Sequence, residues 1–379
     1  MRSVFAGMLL AAAVASAQSI VNPARLNESL RSMQPAPGER PMECSVTPIR
    51  PVLNFSLRIQ AGYTVRVPMS QYFGAGHTWV QLARITPAAG DRPPVYLGYR
   101  TRLPDVPKTS VEVDLGGGYL LGEGAYDVHW AMFDDSGRVC RKQWRIDARL
   151  SRKERKAKPM MQPYTVAAFS LVDASRAAPP PPRGSAPLRI TVLLHAAPMS
   201  PRRTHFGAAD RMMLLGSLAA LMEQLPGAAI RLVAFNLDKQ KEILRQDNFQ
   251  PEMLERAEKA MDGVELDLAD VRTLQHPLGH LDLLASLVNR ELRADPAPDA
   301  VLFFGPRTRF LDKAPHFAMP EGAPPRFFAL QFRPFLRVAA ATLPDAIGNT
   351  VASLKGKVVT IHSPADFAKA ITLLQRRSP

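Results

Sequence analysis

The sequence predicts two domains of different class, an all-β antiparallel sandwich followed by a doubly wound α/β domain. Three observations predict this. The chain has 379 residues, enough for two domains at about 100–200 residues each. Up to about residue 150, apolar and polar residues alternate with period two, whereas from residue 188 continuous apolar runs alternate with helical stripes. Four consecutive prolines at 179–182 stand between the two patterns. The composition, 46% hydrophobic and 22% charged, is that of a packed globular protein. It excludes a mainly disordered chain and a multi-span membrane protein.

The first segment is an address. Residues 1–17 combine Arg2, an apolar run over 4–14 and the small residues Ala15-Ser16-Ala17. That is the layout of a secretory signal, with cleavage between Ala17 and Gln18. The run is too short to span a bilayer, which takes about 20 apolar residues. An uncleaved N-terminal anchor is the alternative. The expectation is an exported protein, periplasmic or secreted, with no transmembrane helix in the mature chain. In an oxidising compartment Cys44 and Cys140 are expected to form a disulfide, with two free buried thiols as the alternative.

Residues 18–43 are polar with a weak apolar stripe (Leu26, Leu30, Met33) and read as a loosely held N-terminal arm. Residues 44–158 read as the β domain. Alternating runs lie at 52–59, 63–67, 79–85, 110–115, 126–133 and 142–147. Asp134-Asp135-Ser136-Gly137 reads as a hairpin turn. Short alternating strands with Gly and Pro turns point to an Ig-like antiparallel sandwich. Gly116-Gly117-Gly118 precedes no helix and reads as a turn, not a phosphate loop. Trp79, Trp130 and Trp144 are expected to fill the sandwich core. Residues 159–187 form a semi-rigid, Pro-rich linker.

Residues 188–379 form the second domain. Strands are expected at 188–194, 229–235, 299–304, 325–332 and 358–362, with a short edge strand at 241–245. Helices are expected at 208–225, 251–261, 278–292, 343–354 and 364–376. Strand–helix alternation implies a Rossmann-like, doubly wound sheet.

This half resembles a von Willebrand factor type A (VWA) domain. The likeness is carried by the strand at 190–194 with its long following helix, by the apolar run 230–236, by His276-Pro277-Leu278-Gly279, and by 345–349 through 358–367. The two-part layout is also similar to that of exported bacterial proteins. The resemblance implies a Mg²⁺ adhesion site at the carboxyl ends of the central strands, built from Asp-x-Ser-x-Ser, a Thr and a further Asp. Here the matching positions are His195, Ala197, Met199, His276 and Gly305. None offers the hard oxygen donors that Mg²⁺ takes, so no adhesion-site metal is expected. A three-His transition-metal site of His195, His276 and His280 is the remote alternative, since imidazole suits such ions. Arg202, Arg203, Arg307 and Arg309 fall on loops of the same face and could meet an acidic group directly.

Residues 138–158 carry ten Lys or Arg against Asp147 and Glu154, and residues 18–158 are net +8 against +4 for 187–379. An anionic surface polymer, cell-wall polymer or lipid headgroup is therefore a candidate partner; nucleic acid is not expected for an exported protein. The chain contains no Gly-x-Ser-x-Gly, Walker loop, Gly-x-Gly-x-x-Gly or His-Glu-x-x-His. The function expected is a non-enzymatic interaction protein, with no cofactor and an unidentified protein partner.

Overall fold

Alternation buries one side of each strand, and an all-apolar strand must be covered on both sides; the two halves of the chain follow these two rules. The computed structural model describes residues 18–89, 92–157, 159–169, 187–200, 203–264, 271–319, 323–334 and 344–375. The signal-like residues 1–17 with Ala17, the four prolines at 179–182 and Arg202 lie outside them. The chain divides into two compact units. One comprises Met1–Val52, Arg58–Leu150 and Met161–Ser170, the other Leu53–Leu57, Ser151–Met160 and Leu171–Pro379.

The first unit is β-rich. Its strands are β1 (Ser19–Val21), β2 (Arg40–Pro41), β3 (Ser45–Leu53), β4 (Ile59–Pro68), β5 (Thr78–Pro87), β6 (Val95–Arg102), β7 (Glu112–Leu121), β8 (Gly124–Asp134), β9 (Arg138–Ala148) and β10 (Val166–Ala168), with a short helix α1 (Glu28–Ser32). They form two sandwich-like sheets, β1-β6-β5-β8-β9-β2 and β10-β7-β4-β3. The pairs β1–β6, β5–β6, β5–β8, β8–β9, β4–β7 and β7–β10 are antiparallel. The short β2 runs parallel to β9.

Tyr63 on β4 packs against Trp130 on β8 and Trp144 on β9, with ring centroids 5.3 and 6.1 Å apart. This contact joins the two sheets. Trp79 and Trp130 are fully buried as expected, while Trp144 is half-buried. Cys44 and Cys140 are at bonding distance, with Cα atoms 6.2 Å apart.

Three expectations are corrected here. The run 52–59 is not one strand, because the chain turns between β3 and β4, where Leu57 takes φ 55°. Residues 116–118 are not a turn but lie inside β7, opposite β4. Tyr63's ring fills the space a Cβ of Gly117 would need, so packing explains this glycine and a bend does not. Residues 18–43 are not loosely held. β1 pairs with β6, and Gln18 and Met33 are buried.

The second unit holds β11 (Arg189–His195), α2 (Ala208–Gln224), β12 (Ala229–Asn236), β13 (Lys241–Gln246), α3 (Leu254–Asp262), α4 (Val271–Gln275), α5 (Gly279–Leu292), β14 (Ala300–Pro306), β15 (Arg326–Phe332), α6 (Ala346–Ser353), β16 (Lys357–Ile361) and α7 (Pro364–Gln375). The sheet order is β13-β12-β11-β14-β15-β16. All pairs are parallel except β12–β13, so β13 is an antiparallel edge strand. Adjacent residues face opposite layers. Phe303 joins a core with Leu284, Leu287 and Val288 of α5 and Ile347 of α6, whereas Phe304 packs on Phe367 of α7. Covering both faces accounts for the mostly apolar runs of β11 and β14.

Candidate functional site

In a sheet of this kind ligands sit in the crevice beyond the carboxyl ends of the strands, where successive crossovers diverge to opposite sides. Here the divergence lies between β11, which leads to β12, and its other neighbour β14. The loops beyond His195 and Pro306 border it.

His195 ends β11 and is buried. Its ring stacks on Phe235, centroids 5.3 Å apart. Nδ1 lies 3.3 Å from the Pro306 carbonyl oxygen and donates to it in the tautomer protonated at Nδ1. Burial pushes the imidazole pKa below its ordinary 6.5, against smaller upward pulls from the Pro306 carbonyl, Asp238 and Asp345. Nε2 meets no hydrogen-bond partner among the described residues. Gly305 has φ 153°, and a Cβ there would lie 2.7 Å from the His195 oxygen and 3.0 Å from its Cβ. The glycine thus lets the β14 backbone pass close to the His195 backbone oxygen and Cβ.

Ala197 and Met199 are buried. The Ala197 amide donates to the His195 carbonyl at 3.0 Å, and the Met199 amide donates to Asp210 Oδ1 at 3.1 Å. Three buried polar residues fix these loops. Asp210, in the first turn of α2, also accepts the Gly207 amide at 3.3 Å. Asn236 donates to the Ala196 carbonyl and accepts from the Lys239 amide, both at 2.7 Å. Asp345 caps α6 through the Gly348 amide (2.8 Å), and accepts from the Thr308 amide (2.8 Å) and Gln331 Nε2 (2.7 Å). Sequence reasoning gave these three no role at the site. Their signal was a short polar residue at a helix start or strand end.

The histidines do not converge. His276 is exposed, and its carbonyl accepts from Gln240 Nε2 at 2.8 Å. His280 is buried, flat on the Phe310 ring at 3.9 Å, with Nε2 2.9 Å from Asp312 Oδ2. No three His, Cys, Asp or Glu among the described residues could hold a metal ion together. The methyl, thioether and glycine positions supply no oxygen, so this donor set does not fit Mg²⁺.

The arginines differ in their attachments. Arg309 Nε lies 2.6 Å from Asp238 Oδ1, its guanidinium over the Phe310 ring. Arg203 stands 4.0 Å from the buried Asp210 carboxylate and is largely exposed. Arg307 and Arg309 line a cavity of roughly 250 Å³ with Met199, Leu311, Phe332 and Arg333. Arg333 was not singled out in the sequence, although it directly follows β15. In the first unit, part of the basic stretch is internal. Arg138 Nε lies 2.7 Å from Asp134 Oδ2, and Arg141 pairs with Glu39.

Among the described residues no helix is long and apolar enough to cross a membrane. No family model matches the chain, and no curated protein matches it. Among solved structures, it is similar to a putative ApaA protein from Bordetella pertussis, with TM-score 0.20 and 18% identity over 30% of this chain and 99% of that one. It is also similar to a superoxide reductase (neelaredoxin) from Ignicoccus hospitalis, with TM-score 0.20 and 14% identity over 34% of this chain and 93% of the other.

Proposed function

We propose that this chain is an exported, non-enzymatic interaction protein. In this reading an Ig-like sandwich is followed by a VWA-like domain that engages a protein partner through its carboxyl-end loops without a metal ion. The close approach of the two strands at Gly305 carries the reading, because the His195 backbone oxygen and Cβ leave no room for any side chain, an aspartate's included, at position 305. Counting strands within the second unit alone, the sheet order is 3-2-1-4-5-6, which supports a ligand face at the carboxyl ends. Export is supported by the signal-like residues 1–17 and by the Cys44–Cys140 pair.

Leu278, at the entry to α5, and Leu311, beyond β14, are 56% and 54% exposed. Apolar side chains there favour a protein surface over a purely ionic polymer contact. The competing reading, attachment to an anionic polymer or lipid headgroups through the basic stretch, is weakened by the ion pairs of Arg138 and Arg141.

Thermal unfolding of the purified protein in EDTA, then with Mg²⁺, Mn²⁺, Zn²⁺ or Ni²⁺, tests the metal-free reading. An ion present at a hundred times its Kd adds about 2.7 kcal/mol to the folded state, a midpoint rise of several degrees. No rise is expected with any of the four. A rise with Mg²⁺ or Mn²⁺ overturns the reading, and one with Zn²⁺ or Ni²⁺ that His276→Ala abolishes replaces it with the three-His site.

A further inference from the structure

We infer that the roughly 250 Å³ cavity beside the His195–Gly305 contact is a pocket for a carboxylate carried on a short apolar stem. The proposal rests on the reading of the carboxyl-end loops as a metal-free binding face. Three features of the cavity give the ligand its chemistry.

The first is charge. Arg307 and Arg309 come from the loop after β14, and Arg333 comes from the end of β15. Three guanidinium groups from two loops therefore border one small space. Arg309 also holds Asp238, and Arg307 and Arg333 each hold an interaction too. A guanidinium has five donors in a planar fork and can hold more than one acceptor.

The second is the apolar lining. Phe332 is fully buried, its ring 5.0 Å from Phe304 and 5.6 Å from Phe367. Met199 is buried beside it in the lining, and Leu311 is more than half exposed. Leu311 is thus the apolar side chain whose exposed surface a ligand's methylene and methyl groups would cover.

The third feature separates a carboxylate from a phosphate. Phosphate sites draw heavily on backbone amides. Here the amides of three lining residues are already bonded within the fold. Met199 donates to Asp210, Thr308 to Asp345, and Arg333 to the Ile361 carbonyl at 2.8 Å. Beside these bonded amides the lining offers arginine side chains, whose planar forks match a carboxylate in bidentate geometry. The volume falls below the roughly 300–1,000 Å³ of drug-sized ligand sites, so the pocket admits about one side chain with its carboxylate. A polypeptide C-terminus and a free organic acid share this chemistry.

The experiment uses isotope-labelled full-length protein in EDTA, with amide chemical-shift titrations of four probes. These are N-acetyl-leucine, N-acetyl-leucinamide, hexanoate and inorganic phosphate. The expected result is saturable binding of the two carboxylates, with shifts centred on Met199, Arg307 to Leu311 and Arg333. The amide should bind at least about tenfold more weakly, the cost of losing a charge-assisted hydrogen bond. Arg333→Gln should weaken N-acetyl-leucine by a similar factor. Leu311→Asp, at an exposed position, should do so should the arginine variant fail to fold. N-acetyl-leucine binding above hexanoate assigns the pocket to a polypeptide C-terminus, and the reverse order assigns it to a free acid.

Equal binding of acid and amide, tighter phosphate binding, no binding, or affinity unchanged in a folded variant overturns the pocket. Shifts centred on His195 to Ala197 and His276 also overturn it, yet leave the loop-face reading standing. Carboxylate shifts confined to the first unit overturn both.

Discussion

Burial disfavours the charged form of the His195 imidazole, because a cation beside Phe235 and Pro306 would lose its hydration, an effect larger than the opposing pulls of the Pro306 carbonyl, Asp238 and Asp345. Its folded-state pKa is therefore below the ordinary 6.5. In the unfolded chain the same ring takes up a proton as pH falls through about 6.5. The unfolded state then binds more protons than the native one, so stability rises with pH across that window and is lost on acidification. His129 is shifted in the same direction by burial, so the wild-type profile alone does not isolate His195. The comparison with His195→Gln does, since glutamine can still donate to the Pro306 carbonyl but does not titrate. Urea unfolding at pH 7.5, 6.5, 5.5 and 5.0 should show the variant losing less stability on acidification than the wild type. Parallel profiles would mean that His195 is protonated in the folded state.

Neighbouring strands are joined by one buried carboxylate. Glu291 of α5 is wholly buried. It accepts from Thr191 Oγ1 on β11 (2.7 Å), from Arg231 on β12 (2.9 Å) and from Arg245 on β13 (2.8 Å). Removing one partner of a buried ion pair leaves charge uncompensated, which costs about 3–5 kcal/mol. Glu291→Ala should therefore lower the urea midpoint of the second unit by that equivalent, and a loss under about 1 kcal/mol would show the arginines rehydrating at the sheet edge. The same elements show what a sequence can reveal. The strand at 190–194 and its partner at 229–235 are mostly apolar runs, interrupted by Thr191 and Arg231, and both appear where expected. The edge strand β13 was legible from its isolation beside a strong strand. β6 was missed, because Val95-Tyr96-Leu97 mixes apolar residues with no clean alternation. β10 was missed because three residues carry no period. Gly116-Gly117-Gly118 misled, since its cause, the Tyr63 ring, lies across the sheet on β4. At the site, the His195–Gly305 contact and the role of Arg333 were not legible, because both depend on parallel strands separated by more than 100 and by nearly 30 residues respectively.

At the scale of the whole chain, one disulfide ties the segment before β3 to β9 in the first unit. Cys44 precedes β3 and Cys140 lies in β9, 96 residues apart. Between them run β3 to β8 and the first two residues of β9, while β1, β2 and β10 lie outside the loop. Hydrogen bonds at the same place are few. β2 pairs with β9 over two residues, and the Met42 amide donates to the Val139 carbonyl at 2.9 Å. Beside the disulfide, the Arg141–Glu39 pair ties the residue before β2 to β9, and Gln71 holds Glu43 between β2 and β3 through two hydrogen bonds. In the chain-entropy account, closing a loop of this length restricts the unfolded state by about 4–5 kcal/mol. The double variant Cys44→Ser, Cys140→Ser removes that restriction while leaving the sheets' apolar contacts in place. The second unit contains neither cysteine, so the loss belongs to one unit. Hydrogen exchange followed by mass spectrometry separates the two. The variant should exchange faster throughout β4, β5, β7 and β8, with α5, β11 and β14 unchanged. Uniform acceleration in both units would mean that they unfold as one body, and no acceleration would mean that the aromatic packing of Tyr63, Trp130 and Trp144 suffices to hold the sandwich closed.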